Sequence, residues 1–259
     1  MTGAEKAGAP APARRTVLIL GAASAIARAV AGEFGRRGYD LLLAGRDVEE
    51  LDRLAADLRL RFGVKTQSRA FDALALDTHG AFVEACRKAS EDSLAGAVLC
   101  FGYLGDQSVA QKDPTEARRI LDTNLGGAVS ILSLLANHFE EKRGGFLCAL
   151  SSVAGDRGRQ SNYFYGAAKA GLTVFLQGLR NRLFRSGVRV ITIKPGFVDT
   201  QMTYGKPGLF LVASPQAVAR LIVEAAFKGK DQAYVPRFWQ PVMLLLRLIP
   251  ERIFKRMRL

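Results

Sequence analysis

Hydrophobic and polar positions along this chain follow two rhythms. Short apolar runs, among them Val17-Leu18-Ile19-Leu20, Leu41-Leu42-Leu43 and Val190-Ile191-Thr192-Ile193, alternate with longer stretches in which apolar residues return every three or four positions. The first rhythm predicts strands and the second amphipathic helices. Strands are expected at 16–20, 40–45, 64–71, 95–101, 145–151, 188–194 and 232–235, and helices at 25–37, 48–62, 78–89, 115–139, 165–185 and 215–227. Strands that stay apolar at successive residues reserve no face for water, so helices must cover both sides of the sheet. The expected fold is α/β: a doubly wound, seven-stranded parallel sheet in a single domain over residues 16–236. No linker rich in Gly, Ser or Pro and no internal repeat divides that stretch.

Both ends depart from the alternation. Residues 1–15 are rich in Ala, Gly and Pro and lack an apolar core, which predicts a loose, disordered tail and neither a signal peptide nor a membrane anchor. Residues 237–259 form an arm. Its part 241–250 is almost wholly apolar except for Arg247, after which Arg252, Lys255 and Arg256 fall three and four apart on one helical face and Ile253, Phe254 and Met257 gather on another. Neither piece reaches the roughly 20 apolar residues that a spanning helix needs. Two readings stand. The arm packs on the domain or a sister subunit and turns a solvated basic face outward, or it lies in a membrane interface with Trp239 and Phe254 among the headgroups and its cations on anionic lipid.

A hydrophobic content of 49% over 259 residues excludes intrinsic disorder as the main state. The 37 Lys and Arg against 24 Asp and Glu leave a net charge of +13, which favours an anionic partner: a nucleotide cofactor, a phosphorylated substrate or a membrane surface. Nucleic acid is disfavoured, because the basic residues are spread along the chain and no aromatic stacking platform or recognition motif accompanies them. Cys86, Cys100 and Cys148 are odd in number and sit in apolar runs, which fits a reducing, cytoplasmic compartment, at most peripheral to the inner face of the membrane. His79 and His138 are the two histidines and have no ligand-spaced partners, so no metal site is expected.

Directly after the first strand come Gly21-Ala22-Ala23-Ser24-Ala25-Ile26-Ala27, leading into a helix. A strand, a tight turn of small residues and a helix N-terminus aim backbone N–H groups and a positive dipole end at a pyrophosphate. Gly21 permits the turn, and the small side chains of Ala25 and Ala27 allow close approach of backbone to phosphate and of helix to sheet, the arrangement of a Rossmann fold, with Gly21, Ala23, Ser24, Ala25 and Ile26 the residues expected against the cofactor. At the tip of the second strand, Ala44-Gly45-Arg46 offers no carboxylate to a ribose 2′-hydroxyl, whereas Arg46 suits a 2′-phosphate. NADP, as NADPH, is therefore favoured over NAD.

The most informative stretch runs from Ser152 to Lys169. Tyr165 and Lys169 lie four apart at the start of a helix and share a face. A free phenol titrates near pH 10, so a tyrosine that moves protons near neutrality needs a neighbouring cation to help it ionise. Tyr163 has no such partner, since Ala167 stands four residues on.

With these residues the sequence resembles the short-chain dehydrogenase/reductase family over residues 16 to about 235. Ser152 precedes Tyr165 by thirteen residues, Asn124 lies between the fourth and fifth strands, and Pro195-Gly196-Phe197-Val198-Asp199-Thr200 follows the sixth. The resemblance implies that Tyr165 protonates the substrate oxygen as hydride arrives, that Lys169 binds the nicotinamide ribose and lowers the phenol's pKa, that Ser152 holds the carbonyl and that Asn124 supports a water. It places Thr200 at the carboxamide end of the cofactor, Asp72 at the adenine, and Gly102, Pro195, Gly196 and Val198 along the cofactor's path. It also implies a homo-oligomer paired through long helices. The chain departs from the family after the fourth strand, where Leu99-Cys100-Phe101-Gly102 keeps a single glycine of the usual Asn-Asn-Ala-Gly.

Details of Phe101 to Asp106, of the loop Ser152 to Arg157 and of the apolar-basic arm are similar to one branch of that family, whose members reduce the 2-keto group of a polyprenyl-phosphate pentose beside a flavin-dependent oxidase. That branch implies a lipid-linked keto-sugar substrate, and Arg157 and Arg159 are the cations expected to meet its phosphate. Two other readings stay open: a reductase of another apolar ketone, 3-oxoacyl or steroid-like, and a catalytically silent NADP-binding regulator.

Overall fold

The computed structural model describes residues 15–204 and 211–257; the loose tail expected at 1–15 lies, apart from Arg15, outside the described residues. In chain order the elements are β1 (Thr16–Leu20), α1 (Ala25–Arg36), β2 (Asp40–Gly45), α2 (Val48–Phe62), β3 (Thr66–Ala70), α3 (His79–Ala89), β4 (Leu94–Leu99), α4 (Gln107–Ala110), α5 (Pro114–Leu121), α6 (Gly127–Lys142), β5 (Phe146–Leu150), α7 (Tyr163–Leu183), β6 (Arg189–Pro195), α8 (Pro215–Phe227), β7 (Gln232–Val235), α9 (Trp239–Leu248) and α10 (Glu251–Phe254). The seven strands are all parallel and lie in the order β3-β2-β1-β4-β5-β6-β7. The order reverses between β1 and β4, and it is at the carboxyl ends of two such strands that an open α/β sheet leaves a crevice for ligand.

Alternate residues of each strand feed opposite cores. Val17, Ile19, Leu41 and Leu43 pack with Val30, Phe34, Leu51, Leu58 and Ile222 of α1, α2 and α8. Leu18, Leu20, Leu42 and Ala44 pack with Val83, Ile131, Leu135, Phe139, Leu172 and Leu176 of α3, α6 and α7. Each such Leu, Ile, Val or Phe contributes about 1.5–3 kcal/mol by leaving water. Helix starts follow the side chains that cap them: Ser24 takes the Ala27 N–H, Asp47 the Glu50 N–H, and Ser214, before Pro215, the Ala217 N–H.

The single helix expected at 115–139 is instead three pieces. Asp113 caps α5 ahead of Pro114, a π turn spans Asp122–Gly126, and α6 follows from Gly127. The interruption has local causes. A Cβ on Gly127 would lie 2.2 Å from the Ala73 carbonyl oxygen, so the helix touches the β3–α3 connection through bare backbone. Asn124, one turn earlier, is drawn aside by the backbone of Tyr103, to which it donates and from which it accepts. Such bulges within helices occur frequently at functional sites.

The arm packs on the domain through one face only. Trp239 and Met243 are buried with Val153, against Phe197, Tyr234, Val242 and Leu246. A Cβ on Gly196 would fall 1.8 Å from the Trp239 indole nitrogen, so that glycine is what lets the ring lie on the turn after β6. Trp239 and Phe254, the two aromatics expected among headgroups, are thus buried in protein, because the turn at Gly196 and the Arg157 guanidinium offer them closer partners.

Candidate active site

The crevice at β1 and β4 is built from backbone. Gly21 has φ +76°, and the Gly21 and Ala22 N–H groups both donate to the Ala44 carbonyl at 2.8 and 3.0 Å, tying the turn to β2. A Cβ on Gly21 would come within 2.7 Å of Phe101, so the strand end after β4 approaches the turn as closely as bare backbone allows. Ala23 and Ser24 are exposed, Ala25 and Ile26 half-buried, and the first turn of α1 carries no acid. Helix N–H groups there lack intrahelical acceptors, which suits an anion. Gly102 extends the cradle across β4: a Cβ there would stand 2.9 Å from Asn124 Oδ1 and 3.5 Å from Lys169 Nζ. These small residues leave the room that a dinucleotide's backbone contacts require, so the cleft fits a nicotinamide cofactor.

Arg46 follows the tip of β2, exposed, and makes no hydrogen bond or ion pair among the described residues. Asp72 is exposed after β3 and accepts the Leu74 N–H at 3.0 Å, so its carboxylate braces a turn. His79 secures the same turn, its ring bridging Ser130 Oγ and the Asp72 carbonyl. Beyond β6, Pro195 and Val198 are buried and Gly196 half-buried; Val198 pairs with Ala213, and the Thr200 N–H donates to Thr203 Oγ1 at 3.1 Å, closing a tight polar turn.

Tyr165 and Lys169 stand in the first two turns of α7, as their spacing predicts, and Ser152 faces them from the end of β5. The Ser152 hydroxyl accepts the Ala154 N–H at 3.0 Å and lies beside the Tyr165 phenol, where it favours the ionised form. Lys169 is 2% exposed; its ammonium lies 5.6 Å from the Tyr165 ring centroid and donates to the Leu150 carbonyl at 3.0 Å. Burial pushes the Tyr165 phenol up to about 12, a rise that Ser152 partly offsets. Burial also brings the Lys169 ammonium down to about 8, against a smaller opposing effect of Cys100. The pair is poised to hold a proton on the phenol while the neighbouring cation titrates close to neutrality.

Several supports were invisible to motif reading. Gly155 and Gly166 let the serine loop lie directly on α7, since a Cβ on Gly155 would be 2.8 Å from the Ala170 nitrogen and one on Gly166 2.9 Å from the Ala154 oxygen. Ser151 donates to the Lys169 carbonyl and pairs with Thr173, fastening the end of β5 to the helix that carries Lys169. Asn124 is 1% exposed; its side-chain NH2 donates to the carbonyls of Tyr103 and Ile120 and its Oδ1 accepts the Tyr103 N–H, so it shapes the 102–105 loop.

Arg157 is not a phosphate ligand in this arrangement. Its guanidinium donates to the carbonyls of Leu246, Arg247 and Ile249, pairs with Glu251 at 2.9 Å and covers the Phe254 ring at 4.0 Å. The last carbonyls of α9 have no intrahelical donors, and a cation at a helix C-terminus satisfies them. Arg159 is half-buried with its Nε unpartnered, and burial lowers its pKa. Two more buried polar atoms have no partner among the described residues: Asn162 Oδ1, at the cap position of α7, and Gln107 Nε2, whose own Oε1 accepts the Phe164 N–H at 3.3 Å.

Comparison with known proteins agrees with this geometry. The sequence profile described as short chain dehydrogenase matches residues 15–207. An uncharacterized oxidoreductase of Mycobacterium tuberculosis is 38% identical over 231 residues, covering 88% of this chain and 92% of the relative. Another from Streptomyces coelicolor is 35% identical over 246 residues, covering 94% and 96%. Among solved structures, a short-chain dehydrogenase from Sphingobium yanoikuyae in complex with NADPH superposes with a TM-score of 0.78 at 24% identity over 92% of this chain and 97% of its own. A bulky-bulky ketone specific alcohol dehydrogenase from Comamonas testosteroni gives 0.74 at 22% identity over 92% and 96%. A glycine-shaped crevice at the sheet's switch point, opposite a serine, a tyrosine and a buried lysine, is thus carried by a chain whose sequence matches the family's profile for most of its length: the protein belongs to the short-chain dehydrogenases and is an NAD(P)-dependent oxidoreductase.

Proposed function

We propose that this chain is an NADPH-dependent reductase of a hydroxyl-bearing ketone, and that its substrate is the 2-keto group of a polyprenylphosphoryl pentose, as for decaprenylphosphoryl-2-ketoribose reductase. The observation that carries the reading is a set of unpartnered buried atoms around the start of α7: Arg159 Nε and Asn162 Oδ1 in the residues before it, and Gln107 Nε2 of α4, whose amide oxygen accepts the Phe164 N–H. A buried polar atom without a partner costs about 1–3 kcal/mol, and a substrate with hydroxyl groups meets two donors and an acceptor there. A 3-oxoacyl or steroid-like ketone leaves them unmet, which sites built for hydroxyls reject. Arg46, exposed after the tip of β2 and unpaired among the described residues, supports NADPH, as does the NADPH complex of the Sphingobium relative. With Arg157 committed to the arm, Arg159 is the nearer cation for the lipid phosphate.

Gly21, Ser24, Ile26, Gly102 and Thr200 would hold the nicotinamide cofactor, which would supply the hydride when bound. Tyr165, kept protonated by burial, gives its phenolic proton to the carbonyl oxygen. Ser152 orients that oxygen toward the phenol, and the Lys169 ammonium stabilises the phenolate left behind. The 2-keto group requires a preceding oxidation, the role of the flavin-dependent oxidase. Exposed Val174 of α7 offers a surface for the helix pairing of a homo-oligomer.

The test supplies purified protein with NADPH or NADH and with polyprenylphosphoryl-2-ketoribose made in situ by the oxidase, beside a 3-oxoacyl ester and a steroid ketone. Turnover of the keto sugar that prefers NADPH and disappears in Tyr165→Phe is the expected result. Turnover confined to the acyl or steroid ketone overturns the substrate.

A further inference from the structure

α9 is apolar on two opposite sides, and among the described residues only one has a protein partner. Its inner side, Trp239 and Met243, is covered by the domain. On its outer side Leu244, Leu245 and Leu248 are 56, 67 and 69% exposed, and Ile253 of α10 adds another 57% exposed side chain. A helix lying on a soluble domain turns polar residues to water, so this outer stripe is the reverse of what solvent exposure selects. It is also a contiguous patch rather than scattered single residues, the pattern that marks an interaction surface.

The surrounding charge identifies the partner. Residues 237–259 carry six basic residues against Glu251, and Glu251 is neutralised by Arg157. Arg247 turns back toward the Tyr234 hydroxyl, whereas Arg252, Lys255 and Arg256 are exposed and form no ion pair among the described residues. A second copy of the chain docked here about a two-fold axis would bring the same cations face to face. An anionic lipid surface takes both the leucines and the cations.

We infer that the outer face of the arm, formed by Leu244, Leu245, Leu248 and Ile253 with Arg252, Lys255 and Arg256, docks on anionic lipid. The inserting residues are these leucines, since Trp239 and Phe254 are buried in the domain. The dock is rigidly tied to the site. Arg157, five residues beyond Ser152, holds the carbonyl end of α9, and Trp239 holds its start on the Gly196 turn beyond β6. A bilayer under the arm therefore lies beside the serine loop, where a lipid-linked substrate has to be presented. The purpose of the dock rests on the substrate proposed above, but docking itself needs no substrate.

Flotation of the full chain with vesicles of phosphatidylglycerol and phosphatidylcholine, against phosphatidylcholine alone, tests it. Wild type should float with the anionic vesicles and be released by high salt. Combined Arg252→Gln, Lys255→Gln and Arg256→Gln should weaken binding about a hundredfold, from roughly a factor of five per cation. Combined Leu244→Ser, Leu245→Ser and Leu248→Ser should lower it at least about tenfold while leaving turnover of a soluble ketone intact. Wild type that ignores anionic vesicles overturns the inference, whether or not the keto sugar is reduced. So does a leucine variant that dissociates an oligomer in light scattering yet still floats, which assigns the face to a second copy. Binding to vesicles with no keto-sugar turnover upholds the dock and sinks only the substrate.

Discussion

The carboxyl edge of the sheet and the C-terminal arm use the same kinds of residue in opposite ways. At the sheet edge a lysine is buried and leucines vanish into the two cores; on the arm the leucines of the outer face are exposed and the cations beside them are exposed too. Burial gives Lys169 its chemistry, because a desolvated ammonium titrates near pH 8 and sits against a phenol. Exposure gives the arm its chemistry, because hydrated cations and unburied leucines are attraction still unspent. Residue type therefore says little about role until the number of covered faces is known.

The largest effect should separate the two regions cleanly. Tyr165→Phe is expected to lower kcat by about a hundredfold to ten-thousandfold while cofactor binding and unfolding midpoint stay put, measured by steady-state kinetics and denaturation. Trp239→Ala, at the root of the arm, should act the other way: roughly 3–5 kcal/mol of stability lost as the indole leaves a cavity over Gly196. If its stability is unchanged, the arm is not anchored as described.

Lys169→Met joins the two kinds of effect. A base whose folded pKa, about 8, lies below its ordinary 10.5 destabilises the fold at every pH below 8, and the cost fades as pH rises from 8 to 10.5. The variant should therefore be inactive yet more stable than wild type at pH 7, by up to about 3 kcal/mol, with the gap closing above pH 8. In wild type, kcat/KM for ketone reduction should be level below pH 8 and fall as Lys169 loses its charge, while the Tyr165 phenol stays protonated to about 12. A profile with no inflection near 8 removes Lys169 from proton handling. Smaller still is Arg46→Gln, which should raise KM for NADPH about tenfold, the loss of one charge-assisted contact, and leave NADH unchanged.

Much of the fold was legible because its signals are local. β1, β2, β7, α2 and α8 fall at the residues that periodicity names, and Tyr165, Lys169 and Ser152 could be paired because helix spacing and a thirteen-residue offset survive as sequence. The π turn at Asp122–Gly126 was not, since it depends on Ala73 and Tyr103, residues far away in the chain. Arg157 misled for a related reason. A loop arginine reads as a ligand for any anion, and what claims it here is the carbonyl end of a helix some ninety residues later.

Taken alone, then, the order of residues decides a parallel sheet with a phosphate-ready turn and a tyrosine one helical turn from a lysine, because those depend on neighbours within a few positions. Tertiary packing alone decides that Lys169 is desolvated, that Gln107, Arg159 and Asn162 leave buried atoms unmet around the start of α7, and that one side of the arm is covered while the other is exposed. Solvation is a property of everything that surrounds a group, and the surroundings are assembled from segments that the chain keeps far apart.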